Sequence, residues 1–325
     1  MPDTSMYNLI ITTGLYPETT SVNITAVYYL SLVLGILCLN SAVIFTFFNI
    51  FFYAIGLMML IAGIRPVSSE LKIRQQNWLA ILLFLWPAAF MYQSVPLREA
   101  YIMLGICIYI TGFMRFMDKG KVSYLIVGGI ILVLVRMQLI IALLPITVLL
   151  LLYRKKAHWL WQILGLAAAL AGAFVFIRFM VLGESFSPEA LAMLRNEYLL
   201  DSGEQTYGNV YWTSYGMMLK DIPFMVVQFI LSPLPVFSAH SMSGMTLAQA
   251  DMIFVAIILL IIASRFISNI KKYADVMILA LIFAVVFSLY EFHLTGAVRH
   301  RMPLILMLMI PASGTLAFWS ERFKK

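Results

Sequence analysis

The fold class is decided by thirty residues that contain a single formal charge, YLIVGGIILVLVRMQLIIALLPITVLLLLY, from Tyr124 to Tyr153. A helix needs about 20 apolar residues to cross the ~30 Å hydrocarbon core of a bilayer. Lys and Arg residues cluster at both ends of the stretch, and such clusters mark the cytoplasmic side of a membrane protein. Both ends therefore lie on the same side, which predicts two crossings joined by an outer turn at Arg136.

The rest of the chain has the same apolar character. Of its 325 residues, 62% are apolar or aromatic and 11% are charged, whereas a soluble domain has about 45–50% and about 25%. This composition excludes soluble enzymes, nucleic-acid-binding domains and disordered linkers. It predicts a single all-α integral membrane domain over residues 1–325, with about ten transmembrane helices. The apolar segments lie at 25–41, 44–64, 78–93, 100–114, 123–135, 138–153, 158–181, 252–268, 275–290 and 302–319.

Five clusters of Lys and Arg lie between these segments and hold 15 of the 22 cations. The positive-inside rule places all five in the cytoplasm, and the last cluster, at 322–325, puts the C-terminus there too. The net charge of +7 therefore reports topology, and no nucleic-acid partner is expected. The predicted location is a bacterial inner membrane.

The sequence offers no metal-ligand pattern. Cys38 and Cys107 both lie inside apolar segments without a CxxC spacing, and neither is near a histidine cluster. We therefore expect no metal and no other cofactor.

One outward segment, 183–251, is long. Ser187-Pro188-Glu189 carries helix-start signals and predicts an amphipathic helix over 187–200, either on the membrane surface or as a lid on the bundle. The apolar stretch 223–236 has both flanks outside, so it is predicted to enter the membrane and return as irregular backbone.

Arg136 carries the strongest functional signal. An arm of about 12 residues climbs only about 20 Å, so Arg136 is expected below the outer headgroups, in a cavity. An uncompensated Arg at that depth costs at least ~2.5 kcal/mol, so an anionic partner, water or a ligand must pair with it. The helix over 100–114 is also expected to be too short to cross, which would draw Arg98 and Glu99 towards the same cavity.

A third outward group of charges comprises Glu291, His293, Arg299, His300 and Arg301. All three groups face outward, so they can converge on one site for phosphate or pyrophosphate, which the bidentate fork of Arg binds well. A carboxylate or histidine beside such a site is a candidate general base or acid.

Each group also has a structural interpretation. Arg98 and Glu99 would then neutralise other partners in the bundle. Arg136 would snorkel to the outer headgroups. Arg299 and Arg301 would bind lipid headgroups as ordinary interfacial residues.

Several motifs occur in an order that is similar to one known group. They are Trp86-Pro87 with Ser94-Val95-Pro96-Leu97-Arg98-Glu99, the outer-turn Arg136, Ser232-Pro233-Leu234-Pro235, and Arg299-His300-Arg301-Met302-Pro303. Over residues 80–320 the chain resembles bacterial surface-polysaccharide enzymes, namely polyprenol-phosphate-dependent glycosyltransferases of the C-type superfamily and O-antigen polymerases. The first motif resembles their "P…WS…LRE" segment and the last their "RYRLP" signature.

The resemblance implies an inner-membrane glycosyltransferase that takes sugars from undecaprenyl phosphate at the periplasmic face. The lipid-linked sugar would be a substrate, and the implied partners are membrane lipids and polysaccharide-assembly proteins. The residues implied in phosphate binding are Arg98, Arg136, Arg299 and Arg301, and the acid–base candidates are Glu99, Glu291 and His300.

The chain departs from the family in one respect, because C-type enzymes usually carry an acidic base in the first outer loop. The predicted first outer turn, near Asn40, has no carboxylate. Four alternatives stay open: an outward N-terminus that exposes Asp3 and Glu18, a chain that lacks an expected first helix, a base at Glu99 or Glu291, or no base at all.

Two rival functions also stay open. A polymerase would join whole repeat units, and a flippase would move lipid-linked saccharide without chemistry. Transporters often contain inverted repeats and helices broken at the midplane. The sequence shows no such repeat and its outward charges lie on one half, which favours an enzyme.

Overall fold

The structure, a computed structural model, describes residues 42–64, 71–93, 99–154, 160, 163, 167, 187–202, 207–233, 242–291 and 293–323. The elements in these ranges are α-helices, as the composition predicts. They are α1 Ala42–Gly63, α2 Lys72–Phe84, α3 Pro87–Gln93, α4 Glu99–Lys119, α5 Ser123–Arg154, α6 Pro188–Ser202, α7 Tyr215–Ile230, α8 Met242–Ala263, α9 Phe266–Tyr290, α10 Leu294–His300 and α11 Met302–Arg322.

Four of the described helices, α1, α4, α9 and α11, are long and apolar enough to cross a membrane. Shorter apolar segments cover the two arms of α5 and the second part of α8. The described part of the chain is therefore helical, as predicted, with four candidate membrane-spanning helices; the predicted number of about ten crossings is not confirmed. The predicted segment 25–41, the turn near Asn40 and nearly all of 158–181 lie outside the described residues.

Two predicted segments have different bounds in the structure. The segment 78–93 is divided between α2 and α3, with Pro87 as the first residue of α3, where its missing N–H costs least. The expectation of a short helix over 100–114 is wrong, since α4 has 21 residues and is about 31 Å long. It continues past Arg115, whose guanidinium lies 4.4 Å from the centre of the Tyr124 ring.

The chain forms two compact units, one of Met1–Arg65 with Ala89–Ile140 and one of Pro66–Ala88 with Ile141–Lys325. In the first unit α1 and α4 run parallel. Gly63 lies against Thr111, Gly56 against Leu104, and Phe52 against Tyr101. Contacts therefore advance along both helices together, and this register places Asn49 at the level of Glu99.

In the same unit the first arm of α5 runs antiparallel to α4. Gly112 lies against Leu125, Gly105 against Leu132, and Gly128 against Tyr109. A methyl group on Gly128 would lie 2.4 Å from the Tyr109 backbone nitrogen, so only glycine allows this approach. Extending the pairing of Gly105 with Leu132 by four residues along both helices places Arg136 at the level of Tyr101.

The chain reverses at Arg136, as predicted. This residue interrupts the helical dihedrals of α5 with φ −159° and ψ 83°. A methyl group on Gly129 would lie 3.8 Å from Cδ1 of Ile140, whereas a straight helix separates residues eleven apart by about 16 Å. The chain therefore turns back after Arg136, so that Ile140 lies beside Gly129.

In the second unit α11 is the central helix. Its side chains are buried on all faces from Met302 to Thr315, the pattern of a helix surrounded by protein. Polar pairs join it to its neighbours: Asn269 Nδ2 on α9 donates to Thr315 Oγ1 at 3.1 Å, and Gln75 Nε2 on α2 donates to Ile310 O at 3.5 Å.

The outer segment forms two helices of the second unit. The Ser187 side chain accepts a hydrogen bond from the Ala190 amide at 3.1 Å, and α6 follows over the range where the amphipathic helix is predicted. One of its faces packs through Ala192 on Trp212 and Met218. The expected irregular backbone does not begin at Pro223, because α7 is helical to Ile230; residues 234–236 lie outside the described part of the chain.

Candidate functional site

The connection between α9 and α10 holds Glu291 in one orientation. Its amide donates to Phe287 O at 2.8 Å and closes α9. Its Oε1 accepts a hydrogen bond from the His293 amide at 3.1 Å, and His293 Nδ1 caps α10 by accepting from the Gly296 amide at 3.2 Å. A methyl group on Gly296 would lie 2.9 Å from Oε1 of Glu291. The carboxylate thus lies in a close-fitting turn, with a residue exposure of 3%.

Glu291 and His300 form a buried carboxylate–imidazole pair. Oε2 of Glu291 accepts a hydrogen bond from Nδ1 of His300 across the short helix α10. This contact assigns the proton to Nδ1 and leaves the lone pair on Nε2, which lies 3.5 Å from Nη2 of Arg299. A carboxylate that orients an imidazole is the arrangement of a general base and its orienting partner.

His293 is a second, neutral histidine in this turn. Burial lowers its pKa below the usual 6.5, the nearby Arg299 lowers it further, and Glu291 acts in the opposite direction. A neutral ring agrees with the acceptor role of its Nδ1. His293 therefore caps α10, whereas His300 contacts Glu291 and Arg299.

Arg301, a predicted phosphate ligand, lies in a different environment. It is 0% exposed and makes four hydrogen bonds: Nε and Nη2 donate to Asp251, and Nη1 donates to the carbonyls of Ile230 at 2.8 Å and Ser232 at 2.7 Å. These protein groups occupy most of its N–H donors, so the described contacts give it a structural role.

Asp251 completes that buried pair. Its Oδ1 accepts from Trp86 Nε1 at 2.9 Å and from the Ala88 amide at 3.2 Å. A buried charge needs this number of partners to offset the loss of water. Sequence reasoning missed Asp251 and counted it only as the end of the outer segment. The available signal was a carboxylate inside an apolar stretch.

Arg195 and Tyr207 were also missed, and both come from the outer segment. Nη1 of Arg195 donates to Ser288 O at 3.0 Å, and Tyr207 donates to Gln228 O at 3.1 Å. Burial lowers the pKa of Arg195 to about 10, while Glu291 and Tyr207 oppose that shift. The sequence signal was positional, because Arg195 follows Leu191 by four residues and so lies on the apolar face of α6.

The Tyr207 hydroxyl interacts with Ser232 and with the charges of Arg195, Glu291 and Arg301. Burial raises its pKa to about 12, and a hydrogen bond with the Ser232 side chain and the charge of Arg301 act against that rise. Ser232 in turn donates its hydroxyl to Leu294 O at 2.8 Å, at the start of α10, and precedes a cis peptide bond to Pro233. The outer segment therefore reaches the Glu291 turn from two sides.

The second unit thus brings together four of the predicted residues: Glu291, Arg299, His300 and Arg301. With Arg195 and Asp251 included, three guanidinium groups face two carboxylates. One net positive charge remains when the histidines are neutral, which suits an anionic ligand. Arg299 and His300 are partly exposed, whereas the other members of this group are buried.

The first unit brings together the remaining described candidates. Glu99 is 3% exposed and Arg136 is 8% exposed, and the registers of α1, α4 and α5 place both near the same end of the unit, together with the buried Asn49. The opposite end carries Arg115, outside the core of the unit. Arg98 lies outside the described residues.

Within the described ranges, no three His, Cys, Asp or Glu side chains are grouped so that they could hold a metal ion. Comparison of the chain with protein-family models, with curated proteins and with solved structures finds no match.

Proposed function

We propose that this chain is a membrane glycosyltransferase that takes a sugar from undecaprenyl phosphate at the periplasmic face of a bacterial inner membrane. The observation that carries the proposal is the Glu291–His300 pair, with Nη2 of Arg299 3.5 Å from Nε2 of His300. The motif order described above supplies the substrate class, and the net positive charge of the group supports an anionic ligand.

The proposed reaction uses His300 as the base. The acceptor hydroxyl gives its proton to Nε2 of His300 while its oxygen forms a bond to the anomeric carbon of the sugar. The bond from that carbon to the donor phosphate oxygen breaks, and the electron pair leaves with the phosphate. Glu291 stabilises the imidazolium, and Arg299 neutralises the leaving group.

Phosphate binding by Arg98 and Arg136, and a base at Glu99, stay predictions that the motif order implies. The basic end of the first unit, at Arg115 and Lys121, would face the cytoplasm. Glu99 and Arg136 would then face the periplasm, as the reaction requires.

The test is glycosyl transfer in lipid vesicles, with purified protein and labelled undecaprenyl-linked saccharides from the host. We expect His300→Gln and Glu291→Gln to lower product formation by about 100-fold or more, the usual contribution of a general base. The matched control is Glu189→Gln, which removes an exposed carboxylate on α6 and should keep wild-type activity.

The product pattern separates the rival functions. A single added sugar supports the transferase, and a ladder of products supports the polymerase. Label that crosses the bilayer with no covalent product from any host donor would show a flippase and overturn the proposal.

A further inference from the structure

Arg195 binds the end of the helix that carries Glu291. The last carbonyls of a helix have no intrahelical partner, and at the end of α9 two of them, Ser288 O at 3.0 Å and Leu289 O at 3.5 Å, accept hydrogen bonds from Nη1 of Arg195. The cation also complements the negative end of the α9 dipole. Glu291 follows Leu289 by two positions.

This arrangement fixes where α9 ends and therefore where the Glu291 carboxylate lies. The Glu291 amide closes the last turn of α9 at 2.8 Å, and its Oε1 accepts a hydrogen bond from the His293 amide at 3.1 Å. Arg195 is 4% exposed, and its Nε has no hydrogen-bond partner. The contacts described for the Arg195 guanidinium are therefore with the end of α9.

We infer that Arg195 is a positioning residue of the active site, so that α6, a helix of the outer segment, is part of the catalytic centre. The inference rests on the proposed function, because it assigns Arg195 to the Glu291–His300 pair. Arg195 does not contact the reacting atoms. It sets the position of Glu291, which in turn orients His300.

Two readouts test this inference on the full-length protein in lipid vesicles. The first is independent of activity: in Arg195→Gln, hydrogen–deuterium exchange of peptides that contain Glu291 should become faster, because the end of α9 loses its cap. The second is product formation, which should fall by about ten- to a hundred-fold, since a misplacement of 1 Å costs up to about 100-fold. Arg195→Lys should recover part of both.

A double-variant comparison separates positioning from general structural damage. If Arg195 acts through Glu291, the double variant Arg195→Gln with Glu291→Gln should be no less active than Glu291→Gln alone. Independent, multiplicative losses would overturn the inference. Lys220→Gln is the control, because it removes an exposed cation from α7 and should change neither readout.

The outcomes also distinguish this inference from the proposed function. Unchanged exchange at Glu291 in Arg195→Gln would overturn the positioning role whatever the activity. Faster exchange together with full activity of Glu291→Gln would overturn the proposed function, and with it the catalytic part of the inference, while the cap on α9 would stand.

Discussion

Arg299 and Arg301 are two positions apart in the chain, but their surroundings differ. Arg301 is enclosed and holds Asp251 and two backbone carbonyls, whereas Arg299 is half-buried beside Nε2 of His300. A substitution at Arg301 should therefore act on stability, and one at Arg299 on activity. Motif order alone gave both arginines the same role.

Asp251→Asn is expected to destabilise the fold. It leaves the fully buried Arg301 without its counter-charge, which costs about 3–5 kcal/mol, measurable as the free energy of unfolding in detergent. Trp86→Phe is the graded control, because it keeps the counter-charge but removes one hydrogen bond to it and part of a fully buried ring, and should cost about 1–3 kcal/mol. Wild-type stability of Asp251→Asn together with lost activity would instead place Arg301 on the substrate.

Gly296→Ala is expected to lower activity with little loss of fold. The new methyl group would lie 2.9 Å from Oε1 of Glu291 and displace the carboxylate, so product formation should fall by about ten-fold or more. In the control Gly216→Ala, on α7, the nearest atom is Ser214 Oγ at 3.8 Å. That variant should keep full activity, and equal activity of the two variants would show that the Glu291 position is unimportant.

The residues that sequence reasoning missed share a physical reason. Asp251 pairs with Arg301 across fifty positions, and Arg195 reaches carbonyls more than ninety positions away. Backbone acceptors carry no sequence signature, and a buried ion pair shows in the sequence only as isolated charges. Glu291, Arg299 and His300 could be predicted because ten positions contain all three.

At the scale of helices, α5 followed the sequence pattern and α4 did not. A charge in the middle of an apolar stretch predicted a turn at Arg136, where the helical dihedral angles are interrupted and Ile140 comes to lie beside Gly129. The preceding helix was predicted over 100–114, but α4 continues past Arg115, whose guanidinium stacks on Tyr124. Burial of Glu99 therefore does not result from a short helix.

Two adjacent glycines of α5 should respond oppositely to the same change. Gly128→Ala places a methyl group 2.4 Å from the Tyr109 backbone nitrogen, so α4 and α5 must separate, whereas in Gly129→Ala the nearest atom lies at 3.8 Å. We expect Gly128→Ala to cost at least about 1–3 kcal/mol, as overpacking does, and Gly129→Ala to be neutral or stabilising. Thermal unfolding in detergent measures both. Equal melting temperatures would contradict the described contact of α4 with α5.

At the scale of the whole molecule, the orientation in the membrane is open to direct measurement. In a cysteine-free background, Asn209→Cys in the exposed outer segment should react with an impermeant thiol reagent added to intact cells. Lys121→Cys, which is also exposed, should react only after the membrane is opened, because the positive-inside rule predicts that its cluster faces the cytoplasm. Labelling of both from outside would overturn the assigned orientation.

Composition was sufficient to predict the helical membrane class. A chain with 62% apolar residues is expected in a bilayer, where backbone N–H and C=O groups find no water and a helix pairs them internally. The number of crossings could not be read in the same way. Apolar stretches such as 78–93 look continuous in the sequence but contain breaks, and four described helices meet the length that a crossing requires.

The reversal at Arg136 has a consequence for biosynthesis. The first arm of α5, about 20 Å long, is shorter than the ~30 Å hydrocarbon core, and alone it would leave a charged guanidinium facing lipid. It cannot be retained as a separate stop-transfer segment while the ribosome is still making the second arm. The two arms are therefore expected to leave the translocon together, as one preformed helical hairpin.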